Sequence, residues 1–412
     1  MEQDKKRSSA YFIIFAISIF LNGYCCFLWS TYPYAVIRYL SLALSGIGPF
    51  LLAFPASETN KKGLRIKQDY LFVVSLSILL LLYICLAGSQ FKSAPTLGEI
   101  VLIFTILFLI MLNVSDRETI LDNTIKTFAI IIFPSLVYFL LYSIGITLPH
   151  STLLSAHPGK ALLGSYYMHF PFGLINIDPY SPPRWCGIFD EPGFVGTVAV
   201  LLFAAGYNKV NKKWAALLLF EAIMTLSLGA YTLLVIFVVV YTIKKGLIKF
   251  AFVLLALYIG LMFFIDKKTN NESITALQDR FDVTSTFMLK DNRSTKSFDD
   301  AFESFFDKGG YPLWFGNGKY AYSDDVDMAG SFSYKCLVYD FGIVGFCLYI
   351  GFFIVCAIRV GKLKDNLPFF IVFLTSIYQR PYVFSILFTT IFILGISTGH
   401  PQVKKEQPLE LS

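Results

Sequence analysis

Residues 178–209 read DPYSPPRWCGIFDEPGFVGTVAVLLFAAGYNK. The first half is rich in Pro, Gly and aromatic residues and holds the charges. From about residue 193 the chain is apolar until Lys209. A polar segment thus runs directly into an apolar helix. Asp190, Glu191 and Pro192 form an ordinary helix start, with acids at the positive end of the helix dipole and Pro in the first turn. The same acids also stand where a membrane-bound site would want them, and both readings stay open. Arg184 beside Trp185 sets a guanidinium at a water–lipid boundary, where its planar fork matches phosphate oxygens. Gly187 and Gly193 let backbone approach a ligand closely.

The rest of the chain repeats this alternation. Of 412 residues 56% are hydrophobic and 15% charged, which excludes a soluble domain and indicates a polytopic membrane protein. The 42 Phe suit lipid-facing surfaces and the 24 Tyr suit the interface. A span needs about 20 apolar residues. The expected spans are 10–29, 34–55, 70–88, 97–114, 125–146, 193–208, 213–228, 230–243, 248–265, 333–358, 367–379 and 382–398. The expected fold is an all-α polytopic integral membrane protein, a single domain over 1–412, with about 12 transmembrane helices. The N-terminal apolar run has no cleavage pattern of small residues and is expected to be a retained span.

Lys and Arg set the expected orientation. With the N-terminus inside, twenty fall in inner segments, and the short outer turns hold only Arg38, Lys92 and Arg380. Two long hydrophilic segments, 147–192 and 266–331, then lie on the outer face. A carrier of two matched halves would have short outer loops and a long inner linker instead. The net charge of +6 is mostly inner-loop charge and is no nucleic-acid signal.

Several residues can carry chemistry. The first long segment holds His150, His157 and His169, which are potential bases or merely solvated. The second holds Arg280 and Arg293, each beside an Asp. It also holds an amphipathic stretch, Asp299–Asp307, expected to be a surface helix, and the turn Phe315-Gly316-Asn317-Gly318 before Lys319 and Tyr320. Asp324, Asp325 and Asp327 can hold a divalent cation or form a solvated loop. Arg380, before Pro381, is a snorkelling anchor or points into a site. Glu221 lies inside an expected span and should be buried or paired. The seven Cys have no metal or disulfide-scaffold spacing, although Cys186 and Cys336 both lie near the outer face, where they can pair. No HExxH motif or other close ligand cluster occurs, and neither a metal nor a cofactor is expected.

The pattern resembles the Wzy-type O-antigen and capsule polymerases and the related O-antigen ligases. The first segment closes with a string like Arg-x-x-Gly-x-Phe-x-Glu-Pro-x-x-Phe, here Arg184, Gly187, Phe189, Glu191, Pro192 and, one place early, Phe194. The second carries Phe315-Gly316-Asn317-Gly318 and then Leu337-Val338-Tyr339-Asp340-Phe341-Gly342-Ile343-Val344-Gly345, similar to the family's ending. Gly309 follows Arg293 at the family's spacing. Ligases of the group carry a His at the end of the second loop; this segment has none, which favours polymerase over ligase.

The resemblance implies a GT-C-like helical glycosyltransferase of the bacterial inner membrane. Both termini would be cytoplasmic and the active site periplasmic. Its reaction would transfer a growing glycan from undecaprenyl diphosphate to the non-reducing end of an undecaprenyl-diphosphate-linked repeat unit, without a metal. Arg184, Glu191 and Arg293 would be catalytic, and Arg280, Lys319, Tyr320 and Arg380 would bind substrate. Implied partners are the lipid-linked oligosaccharides, membrane lipids, a chain-length regulator and a flippase, and no nucleic acid. The rival readings are a lipid-linked oligosaccharide flippase or transporter, the ligase, and a polytopic acyltransferase.

Overall fold

The structure, a computed structural model, describes residues 2–23, 34–53, 68–87, 97–154, 164–179, 181–207, 209–266, 294–323, 333–382 and 385–397. Among the described residues five helices come first: α1 (Glu2–Leu21), α2 (Tyr34–Ala53), α3 (Gln68–Leu86), α4 (Leu97–Met111) and α5 (Val114–Ser143). Strands β1 (Ser151–Leu154), β2 (Tyr166–Phe170), β3 (Gly173–Asp178) and β4 (Ser181–Gly187) follow. Next are α6 (Pro192–Gly206), α7 (Lys212–Met224), α8 (Leu228–Lys244) and α9 (Ile248–Asp266). The second hydrophilic segment contributes α10 (Lys296–Lys308) and α11 (Gly310–Phe315). The chain then runs through α12 (Tyr334–Arg359), α13 (Leu367–Gln379) and α14 (Ile386–Ser397).

A helix apolar on every side belongs in the centre of a bundle. Helix α14 is buried at every residue, and α6 at every residue but Phe203. They pack on each other, with α4 and α5 around α14 and with α7, α8 and α13 around α6. Peripheral helices expose large apolar side chains instead: Leu71, Phe72, Leu79 and Leu82 on α3, and Phe250, Phe252 and Leu257 on α9. Such an outer surface belongs in lipid rather than water. Each expected apolar segment overlaps a helix, with residues 24–29 of the first outside the described residues. Among the described residues, three stretches are long and apolar enough to cross a membrane: Asp69–Leu86, Val114–Ser143 and Tyr334–Arg359. The other apolar stretches are shorter, 10–17 residues, among them Tyr11–Leu21 within α1, Val36–Gly48 within α2 and Ile248–Tyr258 within α9.

The bundle is helical as expected, with one addition that the sequence reading did not anticipate. Within 147–192 the chain makes an antiparallel sheet of order β1-β2-β3-β4. Strand β1 is mostly exposed, while the inner strands bury side chains on both faces, so polar and apolar residues do not alternate there. Met168, Ile175 and Trp185 share one face, and the Trp185 indole donates 2.6 Å to Ser135 Oγ on α5. A β-carbon on Gly173 would stand 2.0 Å from the Ser135 Cβ, so the sheet backbone lies flush on that helix. Tyr167, Leu174 and Cys186 form a small second cluster. Cys186 and Cys336 are both buried and both free thiols, so the pairing does not form.

The expected surface helix is present as α10. Thr295 caps it by accepting from the Phe298 amide at 3.2 Å, and Phe298 and Phe305 turn inward onto Tyr339 of α12. Asp299 pairs with Lys335 across that contact at 2.7 Å.

A candidate active site at one end of the bundle

The two glycine motifs of the second hydrophilic segment meet as one device. Helix α12 breaks at Gly342, which has φ 68°. A break frees backbone carbonyls that need donors. Here the Asn317 amide donates to Tyr339 O at 3.0 Å, the Gly318 amide to Asp340 O at 2.9 Å, and the Tyr83 hydroxyl to Phe341 O at 2.8 Å. The approach is backbone to backbone. A β-carbon on Gly316, at φ 83°, would stand 2.1 Å from Asp340 O. Gly316 and Gly342 are therefore glycines because nothing larger fits, and their role is architectural.

That device aims side chains. The buried Asp340 carboxylate accepts from the amides of Tyr320 at 3.0 Å and Tyr322 at 3.2 Å. Tyr320 is held at φ 65°, unusual for a non-glycine residue. The adjoining Lys319 thereby reaches the Glu99 carboxylate at the start of α4, in an ion pair only 5% and 9% exposed. The Lys319 ammonium also lies 5.2 Å from the centre of the Tyr320 ring.

The first hydrophilic segment delivers a second pair. Gly187, at φ 62°, turns the chain from β4 towards α6. Phe189 then packs between Phe128 at 6.3 Å and Phe194 at 4.7 Å. Glu191 occupies the cap position of α6 with Pro192 behind it, yet its side chain makes no capping hydrogen bond. The carboxylate instead pairs with Arg380, from the turn between α13 and α14. Arg380 also donates to the Tyr382 hydroxyl at 3.0 Å and is itself only 7% exposed. The anchoring alternative for Arg380 is thus set aside: its guanidinium points inward. Burial alone would make that guanidinium easier to deprotonate, but Tyr382 and Glu191 outweigh burial and hold the proton more firmly than usual.

Both pairs line one cavity of about 510 Å³, with Asp190, Arg38 and Asp340 in the same wall. Arg38 is exposed and makes no ion pair among the described residues. Arg184 stands behind the wall on β4, paired in register with Asn176. Its Nε is buried and has no hydrogen-bond partner. Burial pulls the Arg184 pKa down, the Cys186 thiol and Glu191 carboxylate oppose that, and Arg380 adds repulsion. A guanidinium stays charged under such a shift. Arg184 is therefore a cation close to the Glu191–Arg380 pair with unused hydrogen-bonding capacity.

Of the expected site residues, Glu191, Lys319, Tyr320 and Arg380 line the cavity and Arg184 adjoins it. Arg280 and Arg293 lie outside the described residues, as do His157, Asp324, Asp325 and Asp327. His150 and His169 belong to the β-sheet region and do not line the cavity; His169 faces Ser151 across β1 and β2. Glu221 is fully buried on α7, away from this cavity. Arg38, Glu99 and Asp340 were not expected in the site. Glu99 and Asp340 carried the one available signal, a carboxylate in an otherwise apolar stretch. Compared with protein-family models, curated proteins and solved structures, the chain matches none.

Proposed function

We propose that this protein is a membrane glycosyltransferase of the polysaccharide-polymerase kind. It would extend an O-antigen or capsule chain from undecaprenyl diphosphate onto the non-reducing end of a lipid-linked repeat unit. The observation that carries this reading is the convergence in one cavity. Glu191 closes the first long hydrophilic segment, Lys319 and Tyr320 lie in the second, and Arg380 comes from a distant turn. A carrier places its binding site near the bilayer midplane, whereas these pairs lie at one end of the helices. A transfer reaction at the membrane surface with a diphosphate leaving group wants them there.

In the proposed step the acceptor hydroxyl oxygen attacks the anomeric carbon of the donor glycan. The bond from that carbon to the diphosphate oxygen breaks, and its electron pair leaves on the diphosphate. The hydroxyl proton passes to the Glu191 carboxylate. Arg184, a cation behind the cavity wall, stabilises through space the charge growing on the diphosphate, which is worth most where water is excluded. Arg280 and Arg293 remain candidates for the same task. Arg380 fixes the Glu191 carboxylate, while Lys319 and Tyr320 hold the sugar chain in line. The active site would face the periplasm, and a chain-length regulator and a flippase would act alongside.

The test is the surface-glycan ladder of a strain deleted for this chain and complemented with wild type, Arg184→Ala or Glu191→Gln. Wild type should restore the ladder. Each variant, at normal protein level, should leave a single-repeat band, with polymer reduced roughly a hundredfold or more. A full ladder from both variants overturns the assignment. Loss of the single-repeat band in the deletion strain would identify a flippase or a ligase instead.

A further inference from the structure

A second cavity, of about 450 Å³, lies far from the first in chemistry. Helices α6, α7, α8 and α9 all contribute to it, and its walls are almost wholly apolar, with Phe203, Leu219, Val238 and Leu254 among them. Along α8 the lining runs from Leu234 to Thr242, about 12 Å at the helical rise per residue. Only one end is polar, where Tyr207 and Tyr241 meet with rings 4.9 Å apart.

That polar end is where the chain places its lysines. Tyr207 ends α6, and Lys212 and Lys213 begin α7. Tyr241 is followed by Lys244 and Lys245 at the end of α8, and Lys249 lies in the first turn of α9. Residues 207–213 and 243–250 contain no Asp or Glu. The Lys245 ammonium lies 5.7 Å from the centre of the Tyr241 ring, and Tyr241 lines the groove. A slot of this kind, apolar along its length and cationic at one end, is complementary to a molecule with an apolar tail and an anionic head.

We propose that this groove binds an anionic glycerophospholipid from the leaflet at that end. One acyl tail lies between α6, α8 and α9, and the phosphate sits among Lys245, Lys249 and the start of α7. The headgroup chemistry selects the occupant, because a zwitterionic lipid brings the same tail without the net charge. The site is independent of the glycosyl-transfer reading and stands whether or not that reading holds.

The test uses the purified full chain in neutral detergent, with the thermal unfolding midpoint followed as dioleoylphosphatidylglycerol or dioleoylphosphatidylcholine is titrated in. A ligand of the folded state raises that midpoint with concentration. The anionic lipid should raise it and the zwitterionic lipid should not. Lys245→Gln with Lys249→Gln should shift the anionic titration to roughly 25-fold higher lipid, about fivefold per lysine. Val238→Trp, which fills the groove, should weaken the response without touching the lysines. Equal stabilisation by both lipids overturns the proposal, as does a wild-type titration from the double lysine variant. A wild-type titration from Val238→Trp overturns the placement of the tail. Both lysines are on the surface, so the double variant decides the matter even if Val238→Trp fails to fold.

Discussion

Gly342 shows how a single residue sets the geometry of the first cavity. A β-carbon there would stand 2.3 Å from the Trp314 carbonyl oxygen, and the φ of 68° is strained for any L side chain. Gly342→Ala should therefore force the kink of α12 away from the 316–318 turn, at a cost of about 2–4 kcal/mol. Gly351, in the same helix, has nothing within 4 Å of its would-be β-carbon. Gly351→Ala should be neutral or stabilising by up to about 1 kcal/mol through helix propensity. Thermal unfolding of the two purified variants checks this; a Gly342→Ala protein as stable as Gly351→Ala would remove the architectural reading. The sequence made both glycine motifs visible as punctuation. It could not show that they contact each other, because the contact is between backbones and leaves no pattern of side chains to read.

At the scale of elements, Lys209 ties two helix ends together. It lies between α6 and α7, and its ammonium donates 2.8 Å to Asn366 Oδ1 and 3.4 Å to the Gly395 carbonyl near the end of α14. Burial lowers its pKa to about 7, against the pull of Glu118 and Asp365. Above that value and below the ordinary lysine range, the unfolded chain holds a proton that the folded chain has lost. Stability should therefore rise with pH across that window and level off below about 7, where both states are protonated. Lys209→Met should remove that rise. Unfolding midpoints of both proteins measured from pH 6 to pH 10 check it, and parallel curves would count against the buried lysine. Elements also differ in how legible they were. Helices α6 and α14 stand out because unbroken apolar runs admit few alternatives. The sheet β1–β4 did not, since its inner strands bury side chains on both faces and the period of two is erased there. Glu191 was ambiguous for a related reason: a helix cap and an ion-pair partner need the same residue type at the same place, and only its distance from Arg380 separates them.

For the whole molecule the deciding feature is which ends of the helices come together. Asn22, Arg38 and Glu99 line the first cavity with Tyr382 and Ser385, which precede α14. The opposite end of α14 receives the Lys362 amide at Ile396 O, at 2.9 Å. The cavity and the lysine-rich turns thus lie at opposite ends of a helix about 18 Å long. Charge counting had assigned those ends to opposite sides of a membrane, and packing keeps them apart in space. What counting could not supply was the cavity itself, which needs residues from eight separate parts of the chain and long-range packing to gather them. The proposed twelve spans and their orientation make a definite forecast. In a chain with its seven cysteines replaced, Arg38→Cys should react with an impermeant maleimide added to intact spheroplasts. Lys364→Cys, exposed at the other end, should react only after permeabilisation. Labelling of both in intact spheroplasts would mean that an even number of crossings separates the two sites, where the expected spans require an odd number. Labelling of Lys364→Cys alone would invert the protein, move the Glu191–Arg380 cavity to the cytoplasm, and leave lipid-linked repeat units on the periplasmic side out of its reach.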